Sequence, residues 1–279
     1  INTYGSKNVR DHYIPKLASG ELIGSFGLTE PNHGSNPGGM ETTAKDMGDH
    51  FLLNGSKTWI SNSPIADVFV IWAKDGNKDI RGFVLDRSMK GIETPKIEGK
   101  FSVRASITGM VLMDDVKVPK ENRIGADGFG FKLAMQILNG GRIGIAAQAL
   151  GIAAGAYELA LKYSKERKAF GTEICNHQAI AFKLADMHTE IEAARMLVMK
   201  AAWDKDQGNN YDMSSAMAKL YASKVAMEHT VEAVQIHGGN GFVKEYHVER
   251  LMRDAKITQI YEGTSEIQKI VISRGVIKG

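Results

Sequence analysis

The chain has 279 residues, 43% hydrophobic and 24% charged, enough to bury a sizeable core and to form two domains. Its net charge of +3 is spread without a concentrated basic stripe, which argues against a dedicated nucleic-acid binder. No run of eighteen apolar residues predicts a bilayer span, and a lone cysteine, Cys175, excludes an intrachain disulfide framework and fits a half-buried, inert thiol in a reducing compartment.

The sequence opens at Ile1 with neither methionine nor a readable targeting leader, so we expect an N-terminal portion to precede it. Val9, Tyr13 and Leu17, spaced by four, predict an amphipathic helix over 7–17 that Gly20 ends. So short a helix is expected to pack on something upstream or on a neighbour. Over 22–118 the period shortens to alternation and brief apolar runs at 22–28, 51–53, 68–73, 82–85 and 110–113, separated by Gly48-Asp49, Asn54-Gly55, Asp75-Gly76-Asn77 and Gly99. This reads as an antiparallel β domain. No useful helix lies between its strands, which disfavours a parallel doubly wound sheet. From about Phe129 the pattern is helical almost to the end. Glycines at 125–130 open a first helix and Gly171 closes a second helical stretch. Ile180, Leu184, Met187, Ile191, Ala194, Val198 and Ala201 form a bundle seam. Gly208-Asn209-Asn210 and the glycines of 237–241 separate further helices, four or five in all, in antiparallel array.

Five stretches could carry chemistry. Residues 27–37 turn through two prolines and Gly34, leaving Thr29, Ser35 and backbone N–H groups to bind a polar ring or phosphate, or simply to form a turn. Trp59, among Thr58, Ser61 and Asn62, could cover a planar cofactor or fill the core. Arg167 ends a basic helix terminus, where the helix dipole already explains it and a phosphate contact is the sharper reading. Three glycines follow Gln235 within 238–241, more than one helix cap needs. Finally, Tyr261-Glu262-Gly263-Thr264 sets one carboxylate between an aromatic and a glycine, just before a hydroxyl N-cap. A partly desolvated glutamate there is a stronger base than a surface one; the alternative is a solvated loop acid. The eight histidines include no pair at i,i+4 flanking a carboxylate, and one cysteine builds no metal site, so no metal is expected.

In register, Leu28-Thr29-Glu30-Pro31 with Gly34-Ser35, Trp59-Ile60-Ser61-Asn62, Glu166-Arg167-Lys168-x-Phe170-Gly171, Gln235-x-x-Gly238-Gly239-Asn240-Gly241 and Tyr261-Glu262-Gly263-Thr264 resemble the acyl-CoA dehydrogenase flavoproteins over essentially the whole chain. The resemblance implies an α+β multidomain fold. Residues 1–21 would be a remnant helix of an N-terminal helical domain, 22–125 a middle antiparallel β domain and 126–279 a C-terminal four-helix bundle. It implies FAD as cofactor and Glu262 as the base that takes the α-proton of a short-chain acyl-CoA. Gly141, where a branch of the family carries its base, cannot serve. It further implies that Phe26, Leu28, Thr29, Trp59 and Ser61 line the flavin ring, with Gly34 and Ser35 near pyrophosphate or thioester. Thr264 and Glu266 would meet the adenosine side. Arg167, Phe170, Gln178, Gln235, Gly238 and Gly239 would reach the FAD of a neighbouring subunit in a homotetramer built as a dimer of dimers. Arg142, Tyr261 and Gly263 would touch substrate. The implied electron acceptor is an electron-transferring flavoprotein, and the implied compartment is the bacterial cytoplasm or the mitochondrial matrix. Asn36 and Ser61 depart from the residues usual at their positions. Residues 26–40, 62–64 and 100–106 look most like glutaryl-CoA dehydrogenases, whereas residues from about Asp115 onward look more like short- or branched-chain enzymes. Glutaryl-CoA oxidation, or a non-catalytic flavin-binding module, are the alternatives.

Overall fold

A computed structural model of the chain describes residues 1–126 and 128–278; Gly279, where the expected bundle ends, lies outside the described residues. Residues pack into two compact units, Ile1–Lys100 with Arg104–Ile137, and Phe101–Val103 with Leu138 onward.

The first unit opens with α1 (Lys7–Ser19), capped by Ser6 and closed by Gly20 in the left-handed conformation. The helix buries Val9 and Tyr13 within this same unit, and Asn8 donates to Glu121 at 3.0 Å. Eight strands follow: β1 (Gly24–Gly27), β2 (Thr43–Asp46), β3 (His50–Ser61), β4 (Val68–Lys74), β5 (Ile80–Asp86), β6 (Ile92–Glu93), β7 (Thr108–Pro119) and β8 (Arg123–Ile124). They form one sheet in the order β6-β7-β3-β2-β4-β5-β8, with β1 also on β4. The sheet is mixed, not purely antiparallel, because β1 and β2 each pair β4 in parallel. Alternation in sequence reports which face a residue takes, and is silent on strand direction. Phe51, Leu53, Phe69, Ile71, Phe83, Leu85, Val111 and Val116 make the core on one face.

The second unit holds five helices among the described residues: α2 (Gly130–Glu166), α3 (Gln178–Asp206), α4 (Asp212–His237), α5 (Val248–Thr258) and α6 (Ser265–Lys278). A small hairpin, β9 (Lys168–Ala169) and β10 (Thr172–Glu173), joins α2 to α3. Where two helical stretches are expected before Gly171, α2 is a single helix of 37 residues whose first turns belong to the first unit. Gly140, Gly141 and Gly144 lie inside it with helical backbone, so they lower its stability without capping it. By length and composition α2 could cross a bilayer. It instead carries the buried Arg142 and packs Ala146, Ala149 and Ala153 against Ala194, Ala201, Ala218, Ala222 and Ala226. Small side chains on every facing surface let the helices approach closely.

Phe69 is fully buried in this sheet core. Phe69→Ala should lower the unfolding free energy by about 3–5 kcal/mol in urea titrations, whereas a loss below about 1 kcal/mol would mean that the core does not hold β4.

Candidate active site

The loop between α5 and α6 carries Tyr261, Glu262, Gly263 and Thr264. Thr264 Oγ1 accepts from the Ile267 amide at 3.4 Å and so caps α6, while Glu266 stands exposed in the first turn, where the helix dipole favours an acid. Glu262 and Gly263 both take positive φ, +53° and +87°. A left-handed glutamate is uncommon and strained, and it persists only where its surroundings hold it. Here Gln268 Nε2 donates to the carbonyls of Glu262 and Gly263 at 3.2 and 2.8 Å, and Lys219 Nζ donates to the Gly263 carbonyl at 2.7 Å. Tyr261 is fixed from the other side by its hydroxyl bond to Gln148.

The Glu262 side chain is half-buried. Burial pushes its carboxyl above the usual carboxylate range, and the nearby cations Arg142 and Lys219 pull it part of the way back. Burial likewise brings the Lys219 ammonium down to about 8 against the pull of Glu262. Arg142 is 7% exposed and donates to Asn139 Oδ1 at 2.6 Å, but its buried Nε has no hydrogen-bond partner. A Cβ on Gly141 would lie 2.6 Å from Glu262 Oε2. Position 141 therefore faces the carboxyl group directly, and a side chain there would displace the carboxyl group from where it now lies.

A second group lies on the first unit. The register of β3 against β7 slips between Lys57 and Ile60, so two residues of β3 oppose one of β7. In this bulge Trp59 takes φ +60° and its side chain is 63% exposed. Bulges of this kind re-aim side chains, and the reading of Trp59 as core is set aside. Leu28 is buried and Phe26 half-buried beside it, and Thr58 N donates to the Thr29 carbonyl at 2.9 Å, which joins the 26–29 segment to the bulge. Behind them the buried Lys57 donates to the Leu28 carbonyl at 3.2 Å and to Glu30 at 2.7 Å. Burial opposes charge on Glu30, yet bonds from the Glu41 amide, Lys57 and Thr42 outweigh it and hold the carboxyl below its ordinary value. Ser61, Gly34 and Ser35 are exposed, and a Cβ on Gly34 would meet nothing within 4 Å.

A third group sits at one end of the second unit. Phe170 and Gly171, at φ +51° and +85°, form the two-residue turn of the β9–β10 hairpin, and Phe170 is 98% exposed. Arg167, Gln178, Gln235, Gly238 and Gly239 are exposed here as well. The stacked rings of Tyr163 and His237, 4.3 Å apart, tie the end of α2 to the end of α4. Gln235 lies sixteen residues from Lys219 along α4, roughly 24 Å at the rise of an α-helix. The residues around Arg167 and Gln235 are thus gathered with one another and are remote from Glu262. Among the described residues no group of three or more His, Cys, Asp or Glu side chains could hold a metal ion.

Residues 25–116 match the middle domain of acyl-CoA dehydrogenases and residues 128–277 match the C-terminal domain. The chain belongs to the acyl-CoA dehydrogenase family. These enzymes are flavoprotein oxidoreductases. The short-chain-specific acyl-CoA dehydrogenase of Clostridium acetobutylicum is 50% identical over all of this chain and 74% of its own length. The CarC subunit of the caffeyl-CoA reductase–Etf complex of Acetobacterium woodii is 46% identical over 98% of this chain and 73% of its own. Among solved structures, butyryl-CoA dehydrogenase from Megasphaera elsdenii superposes with a TM-score of 0.95 at 47% identity, over 98% of this chain and 73% of that one. A glutaryl-CoA dehydrogenase from Mycobacterium smegmatis in complex with FADH2 superposes at 0.96 with 34% identity, over 100% and 72%.

Sequence reasoning misses Lys219, Gln148, Gln268 and the Glu30–Lys57 pair. Lys219 alone leaves a signal: it interrupts a stripe of small residues, Ser215, Ala216, Ala222, Ser223 and Ala226, that reads as a buried face. Because the folded state raises the Glu262 pKa, the contribution of this group to stability is fully present below its unfolded value and is lost as pH rises through the folded value. Glu262→Gln should therefore be more stable than the parent at pH 7, with the gain shrinking as the pH is lowered towards 4. Thermal unfolding across that range checks it, and a gain that grows on acidification contradicts it.

Proposed function

We propose that the protein is an FAD-dependent dehydrogenase that converts a short-chain acyl-CoA to its trans-2-enoyl-CoA, with Glu262 as the base that removes the α-proton. The observation that carries this reading is the desolvated Glu262 carboxyl, held in a left-handed turn between two buried cations. A thioester α-proton is only weakly acidic, so its base must gain strength. Partial burial supplies this, while Arg142 and Lys219 favour the ionised form that accepts a proton. The unpartnered Nε of Arg142 fits an acceptor atom brought by the substrate. Tyr261 and Gly263 flank the base and would border the acyl group.

The first unit suits a flavin. An exposed tryptophan held by a bulge, next to Phe26, Leu28, Thr29 and Ser61, offers a flat apolar face with hydroxyl and amide groups at its rim. Open space at Gly34 and Ser35 would admit a pyrophosphate or the thioester end of the substrate. When bound, FAD supplies the hydride acceptor. Thr264 and Glu266 would meet its adenosine side. Arg167, Phe170, Gln178, Gln235, Gly238 and Gly239, remote from Glu262 and carrying a fully exposed Phe170, suit a cofactor held by another subunit, as in a homotetramer built from two dimers. We assign residues 1–21, 22–125 and 126–279 to the end of a helical domain, the middle domain and the C-terminal bundle. The electron acceptor we propose is an electron-transferring flavoprotein, consistent with a relative that is part of an Etf complex.

A short-chain substrate is favoured because identity is 50% with a short-chain-specific relative against 34%, 36% and 40% with glutaryl-CoA dehydrogenase structures. Anaerobic titration of the flavin with butyryl-, isovaleryl-, 2-methylbutyryl- and glutaryl-CoA tests this. Bleaching by butyryl-CoA is expected, and bleaching by glutaryl-CoA alone would overturn the substrate class. Glu262→Gln should retain FAD and bind acyl-CoA, yet lose flavin reduction by about 10²–10⁴-fold, the usual contribution of a general base. Reduction near the parent rate would remove Glu262 from this role.

A further inference from the structure

Lys219 lies in the first third of α4 with no exposed surface. A buried ammonium with one neutral acceptor is poorly compensated for the water it has lost. Among the described residues its hydrogen bond goes to the carbonyl of Gly263, the residue after the proposed base, at 2.7 Å. Gln268, also fully buried, bonds the same carbonyl and that of Glu262. Together these two side chains, from α4 and α6, hold both carbonyls of the left-handed pair Glu262–Gly263. The charged groups facing Lys219 are Glu262 from the loop, Arg142 from α2 and Glu266 from α6. Those facing Glu262 are Arg142 and Lys219, with Tyr261 beside it and Asp212 acting on Arg142.

We propose that Lys219 is a positioning residue for the base: it clamps the Glu262–Gly263 turn through the Gly263 carbonyl and holds a positive charge behind the carboxyl group. This role rests on the reading of Glu262 as base. Gln268 bonds both carbonyls, and Lys219 adds a second donor to that of Gly263, on the carbonyl's other lone pair. It also adds charge. A cation beside a carboxyl group favours the ionised form, and the carboxylate favours the ammonium in return. The clamp and the charge act in concert, fixing where the carboxyl group points and how readily it gives up its own proton.

The test is an NMR titration of the full chain carrying ¹³C-labelled glutamate and lysine side chains, with Glu262→Gln identifying the Glu262 resonance; it needs no turnover. In Lys219→Met, which keeps the side-chain length without the charge, Glu262 should titrate about one pH unit higher, a tenfold change in its ionisation constant. An unchanged or lower value overturns the proposal. The reciprocal measurement does not depend on that variant folding. In Glu262→Gln the Lys219 ammonium, at about 8 in the intact protein, should titrate lower, and no movement overturns the proposal equally. In the holoenzyme, the acidic limb of the pH–rate profile for flavin reduction should move up in Lys219→Met, which a purely structural lysine would not cause. Substantial reduction by Glu262→Gln with the coupling intact overturns the base reading and with it the positioning role. Lost reduction without coupling overturns the positioning role alone.

Discussion

A carboxyl group held away from water, at the apex of a left-handed turn, is the constraint that the second unit answers to. Each feature around Glu262 offsets a cost that this placement creates. Its backbone strain is contained by bonds from Lys219 and Gln268. Its desolvation is offset in part by two buried cations, each of which is itself raised in energy by burial. Its present position is left open by Gly141, a poor helix former inside a long helix. Arrangements of this sort weaken the fold locally and belong to sites where reactivity is worth more than stability.

The two units solve different problems with similar means. In the first, a buried ion pair, Glu30 with Lys57, sits behind the segment that leads from β1 into the 28–37 loop and holds the Leu28 carbonyl. In the second, a buried lysine again grips a backbone carbonyl, that of Gly263. Both ammonium groups are drawn down to about 8 by burial. A lysine used this way joins a loop to a rigid element more firmly than an apolar contact does, because breaking the bond would strand a charge out of water.

Much of this was legible in the chain. Short alternating runs gave the β unit, the 180–201 seam gave α3, and Thr264 announced the start of α6. The tail carboxylate could be singled out because an aromatic, a glycine and a helix cap bracket it. What stayed hidden depends on direction or on partners distant in sequence. Parallel pairing of β1 with β4 leaves no mark on alternation. The continuity of α2 through Gly140 and Gly141 was obscured because glycine reads as punctuation, and the reason for Gly141 lies 121 residues later at Glu262. Trp59 misled for a related reason. Phe51, Leu53 and Lys57 are buried at odd positions of β3, so simple counting sends Trp59 inward, whereas the bulge moves the buried series to Thr58 and Ile60.

That change of parity bears on how the strand can evolve. Removing Thr58, the extra residue, would leave Lys57, Trp59 and Ile60 to alternate regularly, so the indole would still face outward but without the left-handed backbone that now aims it.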